Sequence, residues 1–304
     1  MHVPRGASMS QVADSLAAHG LIDNAFVFRM YARVKGVAGS MKAGTYEFRA
    51  GAGWDRLLDD ISHGRIVNDR LVIPEGWDIR RIAPGLAEAT GASVDSVSAM
   101  LYDSAVARRL GVPGPTLEGY LFPATYTFPL NAPLDTLVGR LVARYKEVWT
   151  PERRARADSL RLSEREVITL ASIVEAEARR PEELRLISAV YHNRLRRRYP
   201  LQADPTVQYA LGAGRQERLL NVHIDRTEDH PYNTYRRPGL PPGPIGSPGE
   251  AAIDAALNPD TVSHFFFVAR PDGSHIFTRT FAEHQRAVAQ ARRLRREAEQ
   301  AAGD

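Results

Sequence analysis

At 304 residues, 43% of them hydrophobic, the chain can bury a sizeable core, which excludes disorder and leaves room for two domains. Its 40 basic side chains face 36 acidic ones, so a net charge of +4 excludes a nucleic-acid stripe and fits an acidic polymer or an anionic surface better. The lack of cysteine excludes disulfides, thiolate zinc sites and cysteine nucleophiles, and no apolar run approaches the roughly 20 residues of a membrane span.

MHVPRGAS carries no signal-peptide pattern, and the chain begins inside a patterned segment, which leaves room for an anchor upstream. Residues 3–20, VPRGASMSQVADSLAAHG, are echoed by residues 73–91, IPEGWDIRRIAPGLAEATG, at an offset of 70. Val3 pairs with Ile73, Pro4 with Pro74, Gly6 with Gly76 and Leu16-Ala17 with Leu86-Ala87. Each copy predicts a strand, a turn and a short helix, because Pro-x-Gly supplies turn chemistry and the Val12/Leu16 and Ile82/Leu86 spacings give a helical apolar face. Between the copies, GTYEF (44–48) predicts a strand and GWDRLLDDISHG (53–64) an amphipathic helix closed by Gly64. Two copies are too few for a solenoid, so residues 1–115 read as a small α+β region, either plain scaffold or ligand-binding.

The Pro/Gly-rich GVPGPT (111–116) marks a boundary, and a second domain is expected beyond it. LEGYLFPATYTF (117–128) is dense in aromatics with one acid, Glu118; the pattern reads first as core and otherwise as a cleft wall on which the C–H faces of sugars pack. A helix over 137–148 follows. Ser163 and Glu166 then form a capping box, so a further helix starts near Glu164 and runs through VITLASIVEAEA toward Pro181. Val167, Leu170, Ala171, Val174 and Ala178 make its apolar stripe, and Glu175 and Glu177 leave opposite shoulders of that stripe, about 160° apart. They cannot both face one cleft. A carboxyl held on the apolar side stays protonated toward neutrality, as a general acid requires, while the other pairs with an arginine or caps a backbone group. Glu177 lies slightly nearer the stripe; taken alone, the helix reads as carrying two surface acids that balance Arg179 and Arg180.

Residues 181–212 begin with a second amphipathic helix whose Leu184, Ile187, Val190, Tyr191 and Leu195 face inward. In the LQADPT that follows, Gln202, Asp204 and Thr206 alternate in a short extended stretch and so aim at one face, although Asp204 before Pro205 is equally a turn residue. Residues 230–249 hold too much proline and glycine for any element before a helix at 249–257, yet they carry Tyr232, Asn233, Thr234 and Tyr235, and a long ordered loop of that kind serves a site. HFFFVARPDGSHIFTRTFAEHQ (264–285) predicts a hairpin of 265–269 and 275–278 about a Pro-Asp-Gly-Ser turn, and the tail a charged, solvated helix. His192, His223, His230, His264, His275 and His284 lack any metal-ligand spacing, and no P-loop, nucleophile elbow or dinucleotide fingerprint occurs, so neither metal nor cofactor is expected.

LEGYLFPATY, ASIVEAEA, HNRL, LQADPTVQYA, YNTYRRPGLPPGPIGSPG and FFVARPDGSHIFTRTFAEH, in this order and spacing over 117 to about 285, resemble the membrane-bound endolytic murein transglycosylases, the MltG or YceG-like family. The resemblance implies an α+β fold: a small LysM-like α/β N-terminal region, with the LysM-like subdomain over about 69–115, followed by a mixed α+β catalytic domain over 116–304. It implies a catalytic glutamate in ASIVEAEA, Glu177 with Glu175 as the alternative. It further implies substrate contacts from Glu118, Gln202, Asp204, Thr206, Tyr232, Asn233 and Tyr235. The implied substrate is the glycan strand of nascent peptidoglycan, cut between N-acetylmuramic acid and N-acetylglucosamine without water, so that a 1,6-anhydro end forms. One acid serves both proton transfers because the attacking hydroxyl belongs to the sugar itself. Peptidoglycan synthases and elongation or division proteins stay open as partners, and nucleic acid is not expected. The family also implies a single inner-membrane helix ahead of a periplasmic or extracytoplasmic catalytic domain, so this chain reads as a soluble fragment. Two alternatives remain: a two-carboxylate murein hydrolase pairing Glu177 with Asp204 or Glu118, and a noncatalytic peptidoglycan-binding module.

Overall fold

A computed structural model describes residues 1–212 and 219–303 and shows helices with three two-stranded sheets, a mixed α+β architecture. Two compact units divide the chain discontinuously: Met1–Val72, Pro84–Val94 and Thr125–Leu137 form the first, and Ile73–Ala83, Asp95–Ala124 and Val138–Asp304 the second.

In the first unit, strand His2–Val3 pairs antiparallel with Gly44–Thr45. Helix Met9–Ala18 starts in a capping box of Ser8 and Gln11, and helix Ala25–Val34 is capped by the Asn24 carboxamide. Helix Trp54–His63 ends at Gly64 in the left-handed region, as the sequence predicts. Val12, Leu16, Phe28, Ala32, Leu57 and Ile61 of these helices bury one another with Tyr46. The strand expected over 44–48 stops at Thr45, because Tyr46 turns inward and its hydroxyl donates to the Lys42 carbonyl at 2.7 Å. The 70-residue echo is real: helix Ile79–Thr90 starts 70 residues after Met9–Ala18, and Gly6 and Gly76 share φ near +74°.

In the second unit, helix Glu164–Glu177 is central, with every residue from Val167 to Val174 buried. Helices Glu250–Leu257 and Leu184–Arg196 pack against it, and the alanines of Glu250–Leu257 permit the close approach. Arg153 ties helix Pro151–Leu160 to this layer through Asp254 (2.9 Å) and Glu250 (2.7 Å). Hairpin Phe266–Ala269/His275–Thr278, with Phe267 opposite Phe277 and Gly273 at φ +82°, packs on helix Phe281–Gly303.

GVPGPT, expected to mark a domain boundary, lies inside the second unit, where Leu117 donates its N–H to Leu101 at 2.9 Å and Leu117, Tyr120 and Leu121 are core. The stretch around Asp204 is not extended: Asp204–Leu211 is a helix, with Pro205 in its first turn, where a missing N–H costs nothing. Thr234 overrides the pre-proline bias by accepting the Ala203 N–H at 3.0 Å and meeting the Thr206 hydroxyl at 2.9 Å.

Candidate active site

The expected capping box starts the acid-bearing helix: Ser163 donates its backbone N–H to the Glu166 carboxylate at 2.8 Å. The helix ends on Glu177, and its last turn sends the two half-buried glutamates to different partners. Glu175 Oε2 accepts the Gly249 N–H at 3.0 Å. Burial pushes the Glu175 carboxyl up, the Gly249 bond opposes this, and the charge of Glu75 adds to the rise. Glu177 Oε1 accepts the hydroxyl of Tyr191 at 2.9 Å, from helix Leu184–Arg196.

Around Glu177 gathers a second carboxyl–tyrosine pair. The Tyr235 hydroxyl donates to Asp204 Oδ1, and burial raises both groups above their ordinary range. Tyr191 feels the charges of Glu177 and Asp204, and Tyr235 those of Asp204 and Glu177, so the four groups form one electrostatic neighbourhood. Arg194 builds its floor: buried, it donates to the carbonyls of Leu201 and Phe265 and lies over the rings of Phe266 and Tyr199. Gln202 follows in a left-handed conformation, φ +47°, its N–H held by Thr234 at 3.1 Å.

On the Glu175 side lies a cavity of about 270 Å³, with Trp77, Asp78, Arg80, Gln208 and Tyr209 among its lining residues. The Arg80 guanidinium stacks 4.8 Å from the Tyr209 ring and is held by Asp78 at 2.7 Å. Tyr232 packs against the same ring with centroids 4.8 Å apart. Glu118 sits beneath, 3% exposed, accepting the Ile79 N–H at 3.2 Å and the Tyr209 hydroxyl at 3.0 Å. Burial, helped by the Asp78 charge, pushes Glu118 up to about 8, so it is a neutral acid at pH 7.

The Pro/Gly loop closes this side by backbone contact. Ser247 and residues 76–77 exchange two hydrogen bonds of 2.8 Å, and the Ile245 N–H reaches Ser172 at 3.1 Å. A Cβ on Gly246 would lie 2.7 Å from the Gly76 carbonyl oxygen, which is why the loop needs glycine there.

Of the residues expected in a cleft, the structure brings Glu177, Asp204 and Tyr235 together, with Gln202 adjoining, and places Glu118 and Tyr232 with Tyr209 on the other shoulder. Thr206 and Asn233 are wholly buried, and Asn233 binds the carbonyls of Ile224 and Thr227, so both act as internal ties. Tyr191 was legible only as an inward-facing residue, and Trp77, Arg80, Arg194 and Tyr209 escaped sequence reasoning as site residues. The one usable signal was Arg194 on the otherwise inward face of a helix, since a buried arginine demands partners.

The chain matches the model of the YceG-like family over residues 1–290. It is 33% identical to the endolytic murein transglycosylase of Bacillus subtilis (strain 168), over 94% of this chain and 83% of that protein. It is 30% identical to the endolytic murein transglycosylase of Streptococcus pneumoniae serotype 2, over 95% of this chain but 57% of that longer protein. Its fold is similar to the 2.6 Å crystal structure of a yceG-like protein from Listeria monocytogenes, with a TM-score of 0.66 and 29% identity over 94% of this chain and 97% of that one.

Proposed function

The chain belongs to the YceG-like family, and on that premise we infer that it is an endolytic murein transglycosylase: it cleaves the β-1,4 bond between N-acetylmuramic acid and N-acetylglucosamine without water. Glu177 is the acid in this reading. Its carboxyl proton passes to the glycosidic oxygen as that bond breaks and positive charge develops at the muramoyl C1. The carboxylate left behind takes the proton of the muramoyl C6 hydroxyl, whose oxygen closes on C1 to give the 1,6-anhydro ring, so the acid ends reprotonated. Because the nucleophile is intramolecular, no second carboxyl has to activate water.

The observation that carries this choice of acid is the division of labour at the helix end. Glu175 is engaged by the Gly249 N–H and so fastens the Pro/Gly loop, whereas Glu177 is held by a neutral tyrosine hydroxyl beside Asp204 and Tyr235. Gln202, Asp204 and Tyr235 then meet the sugar's hydroxyl and acetamido groups. Trp77 and Tyr209 offer aromatic planes to a neighbouring sugar, while Glu118, Thr206, Tyr232 and Asn233 support that surface from behind. The family resemblance supports placing the reaction on nascent strands outside the cytoplasmic membrane, with a membrane helix as tether and a LysM-like subdomain near residues 69–115.

Digestion of intact murein followed by mass spectrometry tests the reading. Only anhydro ends are expected, Glu177→Gln is expected to slow cleavage by roughly 10²- to 10⁴-fold, and Glu175→Gln to retain most of it. Reducing ends that have gained water would reveal a hydrolase, loss confined to Glu175→Gln would exchange the two roles, and no cleavage by the unaltered protein would leave a binding module.

A further inference from the structure

The hydroxyl of Tyr191 donates to Glu177, and its ring is anchored by contacts that reach the hairpin and the head of its own helix. Tyr191 is fully buried, and its ring meets the edge of Phe267 at 5.9 Å and 90°. Phe267 in turn stands edge-on to His275 at 5.3 Å. Glu183, at the head of the tyrosine's own helix, accepts the His275 N–H at 2.9 Å and holds its ring nitrogen Nδ1 at 2.6 Å. Helix start, hairpin and tyrosine thus form a closed circuit that fixes where the hydroxyl points. A buried hydroxyl needs an acceptor, and this one has the Glu177 carboxyl group.

We propose that Tyr191 is the positioning residue of this enzyme, holding the Glu177 carboxyl group in its proton-donating orientation and setting the upper pH limit of the reaction. The proposal rests on the reading of Glu177 as the acid. Burial and the charges of Glu177 and Asp204 keep Tyr191 protonated, so it donates to Oε1 whether Glu177 is charged or neutral. A hydrogen-bond donor to a carboxyl group favours its charged form over its neutral one. Arg194, Asp204 and Tyr235 lie within electrostatic reach, His275 faces it across Phe267, Glu175 turns to the opposite shoulder, and Glu250 and Asp254 of the neighbouring helix are taken by Arg153.

The test is the pH profile of murein cleavage by Tyr191→Phe, which keeps the ring and removes the donor. Without the donor the charged form of Glu177 is less favoured, so the alkaline limb, where the acid has lost its proton, is expected to move up by about one pH unit, with turnover down roughly tenfold and KM little changed. The ¹³Cδ titration of Glu177, assigned by difference from Glu177→Gln, is expected to move with it. An alkaline limb and a titration both within about 0.3 units of the unaltered protein, in a folded Tyr191→Phe, would overturn the proposal while leaving Glu177 as the acid. Undiminished cleavage by Glu177→Gln would instead remove the reading beneath it.

Discussion

Among the carboxyl groups of the site, Glu118 shows most directly how burial changes what a residue can do. Its carboxyl, raised from 4.5 to about 8, keeps its proton in the folded chain over a range in which the unfolded chain has lost it. The folded state therefore binds more protons between those values, and the stability this confers is fully present below about pH 4.5 and lost as pH rises through 8. The effect is on the order of 5 kcal/mol if unrelieved. We expect the melting temperature to fall between pH 5 and 8 and Glu118→Gln, which cannot ionise, to flatten that slope; an unchanged slope in calorimetry would show that Glu118 is not its source. The sequence presented Glu118 as one acid in an aromatic run and, by resemblance, as a substrate contact. Its partners, Ile79 and Tyr209, lie 39 and 91 residues away, and no local pattern announces them.

At the scale of elements, the Pro/Gly loop and the aromatic run depend on glycines for two reasons that side-chain substitution can separate. Gly119 has φ +84°, and a Cβ there would lie 2.4 Å from the Pro244 ring, so conformation and space both forbid a side chain. Gly246 is limited by space alone, its neighbour being the Gly76 carbonyl oxygen at 2.7 Å. Gly139, inside helix Leu134–Val148, meets nothing within 4 Å. Alanine at 119 is expected to cost at least about 2 kcal/mol, alanine at 246 to break the pair of hydrogen bonds to residues 76–77, and alanine at 139 to stabilise by up to about 1 kcal/mol. Chemical denaturation of the three variants checks the order, and an equal response at 119 and 139 would contradict it. Elements with local signals were the legible ones: the Ser163 capping box, the Gly64 stop and the hairpin turn all stand where their residues predict them. Helix Asp204–Leu211 was not legible, because proline is compatible both with an extended stretch and with a helix's first turn, and Thr234, from another segment, makes the choice.

For the whole molecule, 40 basic against 36 acidic side chains leave little long-range field. Cleavage of murein is therefore expected to change less than about threefold between roughly 0.05 and 0.5 M salt, because contacts within a Debye length, not steering, hold the substrate. A tenfold loss of kcat/KM over that range would show that charge attraction carries binding. By itself the sequence determined the α+β class, the 70-residue echo, the motif order that marks the family, and the departure of Glu175 and Glu177 from opposite sides of one helix. These are matters of local periodicity, capping and turn chemistry, which neighbouring residues settle among themselves. Only the tertiary structure decided what each carboxylate meets: for Glu175 a backbone N–H from 74 residues away, and for Glu177 a tyrosine on the next helix, locked by a hairpin. A hydrogen bond forms where distant segments converge, and convergence is a property of the packed chain that no stretch of it contains alone.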